Sequence, residues 1–247
     1  KEKGVSIISF IDMRQMMWHS TVISSAEREA AYVIDGLMHN DVIKSDIHST
    51  DTHGYSEVIF AVTYLLGFTF APRIKGLGHQ KLYAFSNRKG KKTQGFQPHK
   101  YINEEAVNAQ WDDILRFVTT IRLKITTASQ LFRRLNSYSK QHPLYKALKE
   151  FGKIPKTQFI LKYADDPPFR QSIEKQLNKV EGSHKLSKAV SLGNDHAFIQ
   201  GEKEDQDIAE GCRRPIKNII VCWNYLYLTK EISEETDSER KNALINA

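Results

Sequence analysis

Along the first seventy residues the spacing of apolar positions changes from one rhythm to another several times, and each change predicts an element. Val5 to Ile11 and Met17 to Ile23 are short runs rich in β-branched and aromatic residues, separated by Met13 to Gln15, which predicts a hairpin. Ser24 or Ser25 then caps a helix whose apolar residues Ala26, Ala30, Val33, Ile34, Leu37 and Met38 recur three and four apart. An extended approach from Val42 to Ile47 follows. Val58 to Leu66 is apolar nearly all round and predicts a buried helix ended by Gly67. Phe68 to Ile74 and Leu82 to Phe85 are strand-like, and Pro72 suits a strand end. This order predicts an α/β unit with a parallel or mixed sheet.

Beyond it the character changes. Ser86 to Pro98 is polar, basic and Gly-containing, a loop; Asn103 to Phe117, Ile121 to Leu135 and Pro143 to Phe151 read as helices; Pro167-Pro168 is a break. A helical pattern through Phe169, Ile173, Leu177 and Val180 extends to Leu192. Ile216 to Leu228 reads as a final amphipathic helix, and the chain from Ile232 onward as a tail that frays.

Composition narrows the partner more than the fold. The chain carries +7, and the segment from Thr229 onward holds five acids and three bases, so 33 bases face 24 acids upstream. That excess favours a polyanion. Two cysteines without a C-x-x-C argue against a disulfide framework or structural zinc and fit a reducing cytoplasm. No apolar run reaches the roughly 18 to 20 residues that a membrane span requires. Beginning at Lys1 without Met and entering an apolar run within four residues, the sequence reads as a piece of a longer protein.

The candidate chemistry sits in two places. His48-Ser49-Thr50-Asp51-Thr52-His53-Gly54 puts a carboxylate where an extended segment gives way to a turn, the edge at which α/β sheets hold their ligand groups. Leu177-Asn178-Lys179-Val180-Glu181-Gly182 sets a second carboxylate on a long helix. Taken alone, Asp51 is a turn aspartate satisfying nearby amides and Glu181 an ordinary helix glutamate.

These two segments, with Leu65-Leu-Gly-Phe-Thr-Phe-Ala-Pro-Arg-Ile74, Trp111-Asp-Asp-Ile-Leu-Arg116 and Trp223-Asn-Tyr-Leu-Tyr-Leu228, resemble in order and content the C-terminal catalytic region of the Tn-three family of replicative transposases. The resemblance covers about Gly4 to Leu228. It implies a ribonuclease H-like mixed sheet with helices and a DDE active site, in which an all-helical insertion separates the second Asp from the Glu. On that reading residues 1–85 are the sheet unit, incomplete at its N-terminus; 86–167 are the basic loop and insertion; 168–229 are the Glu-bearing and C-terminal helices; and 230–247 are a polar tail. Asp51 matches the second catalytic aspartate and Glu181 the glutamate. The first aspartate belongs to a strand upstream of the hairpin and has no counterpart; Asp12 ends the first strand but falls beside the pattern. Val180 stands where the family pattern more often has Gly.

The resemblance implies metal-dependent 3′-end cleavage and strand transfer in DNA transposition. Two Mg²⁺ ions would be held by hard carboxylate oxygens, Asp51 and Glu181 among them, with DNA as partner and a transposase homo-oligomer in the full-length protein. With two of three carboxylates, the fragment is expected to bind metal weakly and to be inactive alone. An inactive remnant that at most binds DNA or partners is the alternative, and a separate ribonuclease H-like nuclease a third reading. His48 and His53 are kept as groups behind the metal ligands. Arg88, Lys89, Lys91 and Lys92 read equally as a solvated loop and as a DNA contact, and Lys179 and Lys185 as surface lysines or phosphate contacts near Glu181. Asp112-Asp113 and Asp165-Asp166 read as structural, and Trp111, Trp223, Tyr225 and Tyr227 as core anchors.

Overall fold

A computed structural model describes residues 5–24, 29–38, 47–51, 55–85, 98–137, 142–191 and 201–246. It is a mostly helical α/β protein with two compact units, Ser25–Asn178 and the pairing of Lys1–Ser24 with Lys179–Ala247.

In the first unit, α1 (Glu29–Met38), β3 (Ile47–His48), α2 (Glu57–Leu66) and β4 (Thr69–Phe70) follow one another. Ser56 caps α2 with its hydroxyl, and Gly67 ends it at φ 90°, a left-handed conformation that favours Gly. The sequence predicts the Gly67 end, and the helix starts at Glu57, one residue before the expected Val58. From Val58 to Thr63 every residue of α2 is buried. Such all-round burial needs a partner along the helix, and α6 (Pro143–Asp165) supplies it. The two approach so closely at Gly152 that an added Cβ would stand 1.7 Å from the Glu57 carbonyl oxygen. The Lys156 Nζ donates to the Glu57 Oε1 at 2.8 Å beside this crossing. Burial raises the Glu57 carboxyl, but the Lys156 bond and the charges of Lys156 and Lys149 outweigh it and hold the group below its usual range.

The rest of this unit closes over that pair. β5 (Tyr83–Ala84) and β6 (Lys100–Tyr101) pair in parallel, then come α3 (Glu104–Asn108), α4 (Trp111–Arg122) and α5 (Ala128–Ser137). The Asp35 carboxylate of α1 accepts from the backbone N–H groups of Ala128 and Ser129, capping α5 from a distant element.

Several expectations are corrected here. The helix expected from Asn103 to Phe117 is broken after α3, and the one expected from Ile121 to Leu135 is interrupted around Lys124, whose φ is 56°. The helix begun at Pro143 runs on past Phe151 to Asp165, with Pro155 inside it and buried. A single mixed sheet is not found: the described strands form three two-stranded sheets, and β6 had no apolar signature to announce it. Asp166, between α6 and α7 (Pro167–Val190), accepts from the Phe169 N–H, while Asp113 meets Arg116; both act structurally, as expected.

In the other unit β1 (Val5–Ile11) and β2 (Met17–Ser24) form the expected antiparallel hairpin, with a register irregularity at Phe10/Ile11. Asp12 accepts from the N–H groups of Arg14 and Met16, and Gln15 takes φ 66°. The Asp12 carboxylate shapes the turn. Against β2 lies α8 (Lys203–Glu234), far longer than the Ile216 to Leu228 expected. Asn218 donates to the Met17 carbonyl at 2.8 Å and accepts from its N–H at 2.9 Å, while Asp207 accepts from the Val22 N–H. Glu210 and Lys217 form a fully buried pair at 2.8 Å, with Lys217 also donating to the Ser187 hydroxyl.

The outer half of α8 overturns another expectation. Trp223 and Tyr225 are 62% and 68% exposed, Tyr227 is exposed, and Trp223 stacks on Tyr227 with ring centres 5.4 Å apart. Amphipathic spacing marks a face that avoids water, and it cannot tell whether the described residues supply the cover. Trp111 is likewise an edge residue, its ring against Phe151. The tail expected to fray instead carries α9 (Ser238–Asn246).

Candidate functional site

The neighbourhood of Asp51 is set by backbone pairing. Ile47 and His48 of β3 pair in parallel with Thr69 and Phe70 of β4, and the ladder continues past the strands: the Ala71 N–H donates to the His48 carbonyl at 2.8 Å and the Arg73 N–H to the Thr50 carbonyl at 2.9 Å. This places Asp51 at the C-terminal edge of a parallel pair with Arg73 beside it.

The Arg73 Nη2 donates to the Asp51 Oδ1 at 3.0 Å, and its Nη1 lies 3.6 Å from the Glu174 Oε2 on α7. The side chains of Asp51 and Glu174 are 54% and 42% exposed, that of Arg73 20%. The hydrogen bond to Asp51, foremost, and the charges of both carboxylates hold the guanidinium more firmly protonated than usual, against a smaller opposing effect of burial. Two polar atoms here, the Arg73 Nε and the Thr50 Oγ1, are buried without a hydrogen-bond partner among the described residues. Sequence reading passes over Arg73, although a signal exists. A single arginine in the apolar segment Phe68 to Ile74 must meet a carboxylate or remain in water.

His48 sits partly buried behind this edge, and burial pulls its imidazole down to about 4, so it is neutral at physiological pH. His53 and the run Arg88, Lys89, Lys91 and Lys92 lie outside the described residues.

Glu181 belongs to the other unit, on the exposed face of α7. His184, three residues on, is lowered mainly by burial and then by Lys217, against the opposing charge of Glu181. Lys179 donates to the Met13 carbonyl at 2.6 Å, and Lys185 is exposed. The family glycine's place holds a half-buried Val180 within an unbroken helix.

Fit to a divalent ion can be judged from these donors. Asp51 offers an accessible hard oxygen that already faces a cation, which suits Mg²⁺ in type. In number the donors fall short: among the described residues no three His, Cys, Asp or Glu side chains gather as a metal site.

Comparison with known proteins settles the ancestry. The sequence profile of the Tn3 transposase DDE domain matches residues 1–245. The chain belongs to this family. Among its relatives, the transposase for transposon Tn1546 of Enterococcus faecium is 35% identical over 236 residues, covering 93% of this chain and 23% of that protein. The transposase for transposon Tn2501 of Escherichia coli is 34% identical over 250 residues, covering 100% and 24%. The transposase for transposon Tn501 of Pseudomonas aeruginosa is 34% identical over 238 residues. This DDE-domain chain thus spans about a quarter of the length of these relatives. No helix among its described residues is long and apolar enough to cross a membrane.

Proposed function

We propose that this chain is the catalytic portion of a DDE transposase that cleaves DNA 3′ ends and transfers them to target DNA, with Asp51 and Glu181 as catalytic carboxylates and ligands of two Mg²⁺ ions. One observation carries this reading. Asp51 stands at the end of the β3 and β4 ladder as an accessible carboxylate facing a positive charge, the placement expected of a cation ligand at a sheet edge. When bound, the ions activate the attacking water or 3′-hydroxyl and stabilise the leaving oxygen. The chain's own contribution is to aim Asp51 through the backbone ladder and to present Glu181 from a rigid helix.

In this reading residues 1–85 and 168–229 form a ribonuclease H-like body, 86–167 its basic loop and helical insertion, and 230–247 a C-terminal extension. A strand upstream of the hairpin supplies the first aspartate. Lys179, Lys185 and the run Arg88, Lys89, Lys91 and Lys92 meet phosphates, with His48 and His53 supporting the Asp51 turn. DNA and further transposase protomers are the partners, in the cytoplasm. By itself the 247-residue chain binds Mg²⁺ weakly and neither nicks nor joins DNA.

A protein extended upstream should nick transposon ends in the presence of Mg²⁺, and Asp51→Asn or Glu181→Gln should each abolish nicking without unfolding it. Retained nicking in either variant sinks the assignment of that residue. One further reading is a remnant that keeps only DNA or partner binding. An extended protein that shifts transposon-end DNA but never nicks it would support that alternative.

A further inference from the structure

The outer half of α8 carries an apolar surface that nothing among the described residues covers. Every residue from Cys222 to Glu231 is exposed, and Ile216, Ile219, Trp223 and Leu226 are 44% to 66% exposed. These four recur at intervals of three, four and three residues, the spacing of a seam along which two helices pack. Trp223 lies flat on Tyr227 with ring planes 8° apart, so part of the surface is already arranged. A contiguous apolar patch of this kind marks a contact with another protein surface.

The charges along the helix select the occupant. Arg213 and Arg214 stand at the inner end of the seam, and Glu231 and Glu234 at the outer end, where Glu234 meets Lys230 only loosely at 3.9 Å. A second copy laid parallel and in register sets like charges against like at both ends. Laid antiparallel, with the crossing between Asn224 and Tyr225, it brings Trp223 opposite the second copy's Leu226 and Arg214 within one residue of the level of the second copy's Glu234. Lys230 then falls opposite Ile219, where its aliphatic stem lies along the seam and its amine stays in water. The same glutamates repel phosphates, which disfavours nucleic acid as the occupant despite the aromatic rings.

We propose, resting on the reading above that further transposase protomers are partners, that the outer half of α8 is a self-association surface, paired antiparallel with the same half of a second copy. Covering the exposed parts of these side chains in both copies removes about 1,000 Å² from water, the lower end of a specific interface, so the dissociation constant is on the order of micromolar.

Cys212 and Cys222 are both exposed and make the orientation measurable. At about 1.5 Å per residue, antiparallel pairing leaves about 7–8 Å along the axis between the two copies of Cys222 and about 37 Å between those of Cys212, whereas parallel pairing holds each beside its counterpart. A short bismaleimide should therefore join the Cys212→Ser protein into dimers and leave the Cys222→Ser protein monomeric. Sedimentation of the 247-residue protein at rising concentration should show monomers passing into dimers, with the dissociation constant raised at least tenfold by Trp223→Ser or Leu226→Glu. Arg214→Glu and Glu234→Arg should each raise it about fivefold, and the double exchange should restore it. Circular dichroism checks folding, and if the seam variants do not fold, failure of the double exchange to restore association overturns the proposal. A chain still monomeric at about 100 μM overturns it, as do crosslinking through Cys212, no crosslinking at all, or a dimer indifferent to both seam variants. If Trp223→Ser lowers binding of single-stranded DNA and leaves association unchanged, the patch is a base-stacking surface and the proposal falls. An upstream-extended protein that self-associates equally well with and without Trp223→Ser keeps protomers as partners and removes α8 from their contact; an extended protein that stays monomeric removes both.

Discussion

The two compact units differ in how much of their packing is polar. In Ser25–Asn178 the central event is apolar, the burial of α2 against α6, and polar contacts such as Glu57 with Lys156 line its margin. In the unit built from the hairpin and α8, polar contacts join an apolar base of buried Phe10, Met17, Val22 and Ile23: Asn218 on the Met17 backbone, Asp207 on the Val22 N–H, and, within α8, the buried pair Glu210 and Lys217. Apolar packing is strong and tolerant of small shifts, whereas buried hydrogen bonds and charges are nearly worthless until every partner is in place. The first unit should therefore respond to volume and the second to chemistry.

The largest expected effect breaks the second. Lys217→Met leaves Glu210 as an uncompensated buried charge and should destabilise this unit by about 3–5 kcal/mol, read by urea unfolding. The double variant with Glu210→Met should recover most of that loss, because both charges then go together; no recovery would mean that the pair is not the source. Next comes Gly152→Ala. Its Cβ would overlap the Glu57 carbonyl, so α2 and α6 must separate, at a cost of about 2–3 kcal/mol, with hydrogen exchange rising in those helices rather than in the hairpin.

Asn218→Ala strands both a donor and an acceptor on Met17 and should cost about 1–2 kcal/mol, localised by exchange at β2. A pH titration probes the first unit more gently. His48 is held well below its unfolded value of 6.5, so its contribution is fully present above that pH and is lost as the pH falls toward about 4. His48→Gln should flatten this part of the stability profile; an unchanged slope would show that the histidine does not carry it. Smallest of all, Trp223→Ser should shift stability by less than about 0.5 kcal/mol, because the ring contributes little to the described core.

What the sequence discloses follows the same division. The hairpin, the Gly67 end of α2 and the break at Pro167-Pro168 are legible because strand-like runs around a turn, a left-handed glycine and a proline pair act over a few residues. The lengths of α6 and α8 are not, since a proline that normally ends a helix is tolerated within each, at Pro155 and Pro215. Nor is β6, which is exposed and only two residues long. At the candidate site Asp51 and Glu181 are nameable from motif and order. Arg73 carries a local signal as a lone arginine in an apolar segment, but its partner is set by the ladder that brings two segments side by side, a non-local fact that no spacing along the chain contains.

That ladder also governs how this region can change. Parallel pairing alternates faces with a period of two, so adding or removing a single residue between Gly67 and Arg73 would still allow β4 to pair with β3 but would turn the guanidinium away from Asp51. Substitutions at Phe68 or Thr69 carry no such penalty. Across related transposases this short stretch should therefore drift in composition while holding its length, so that the spacing itself is the inherited trait.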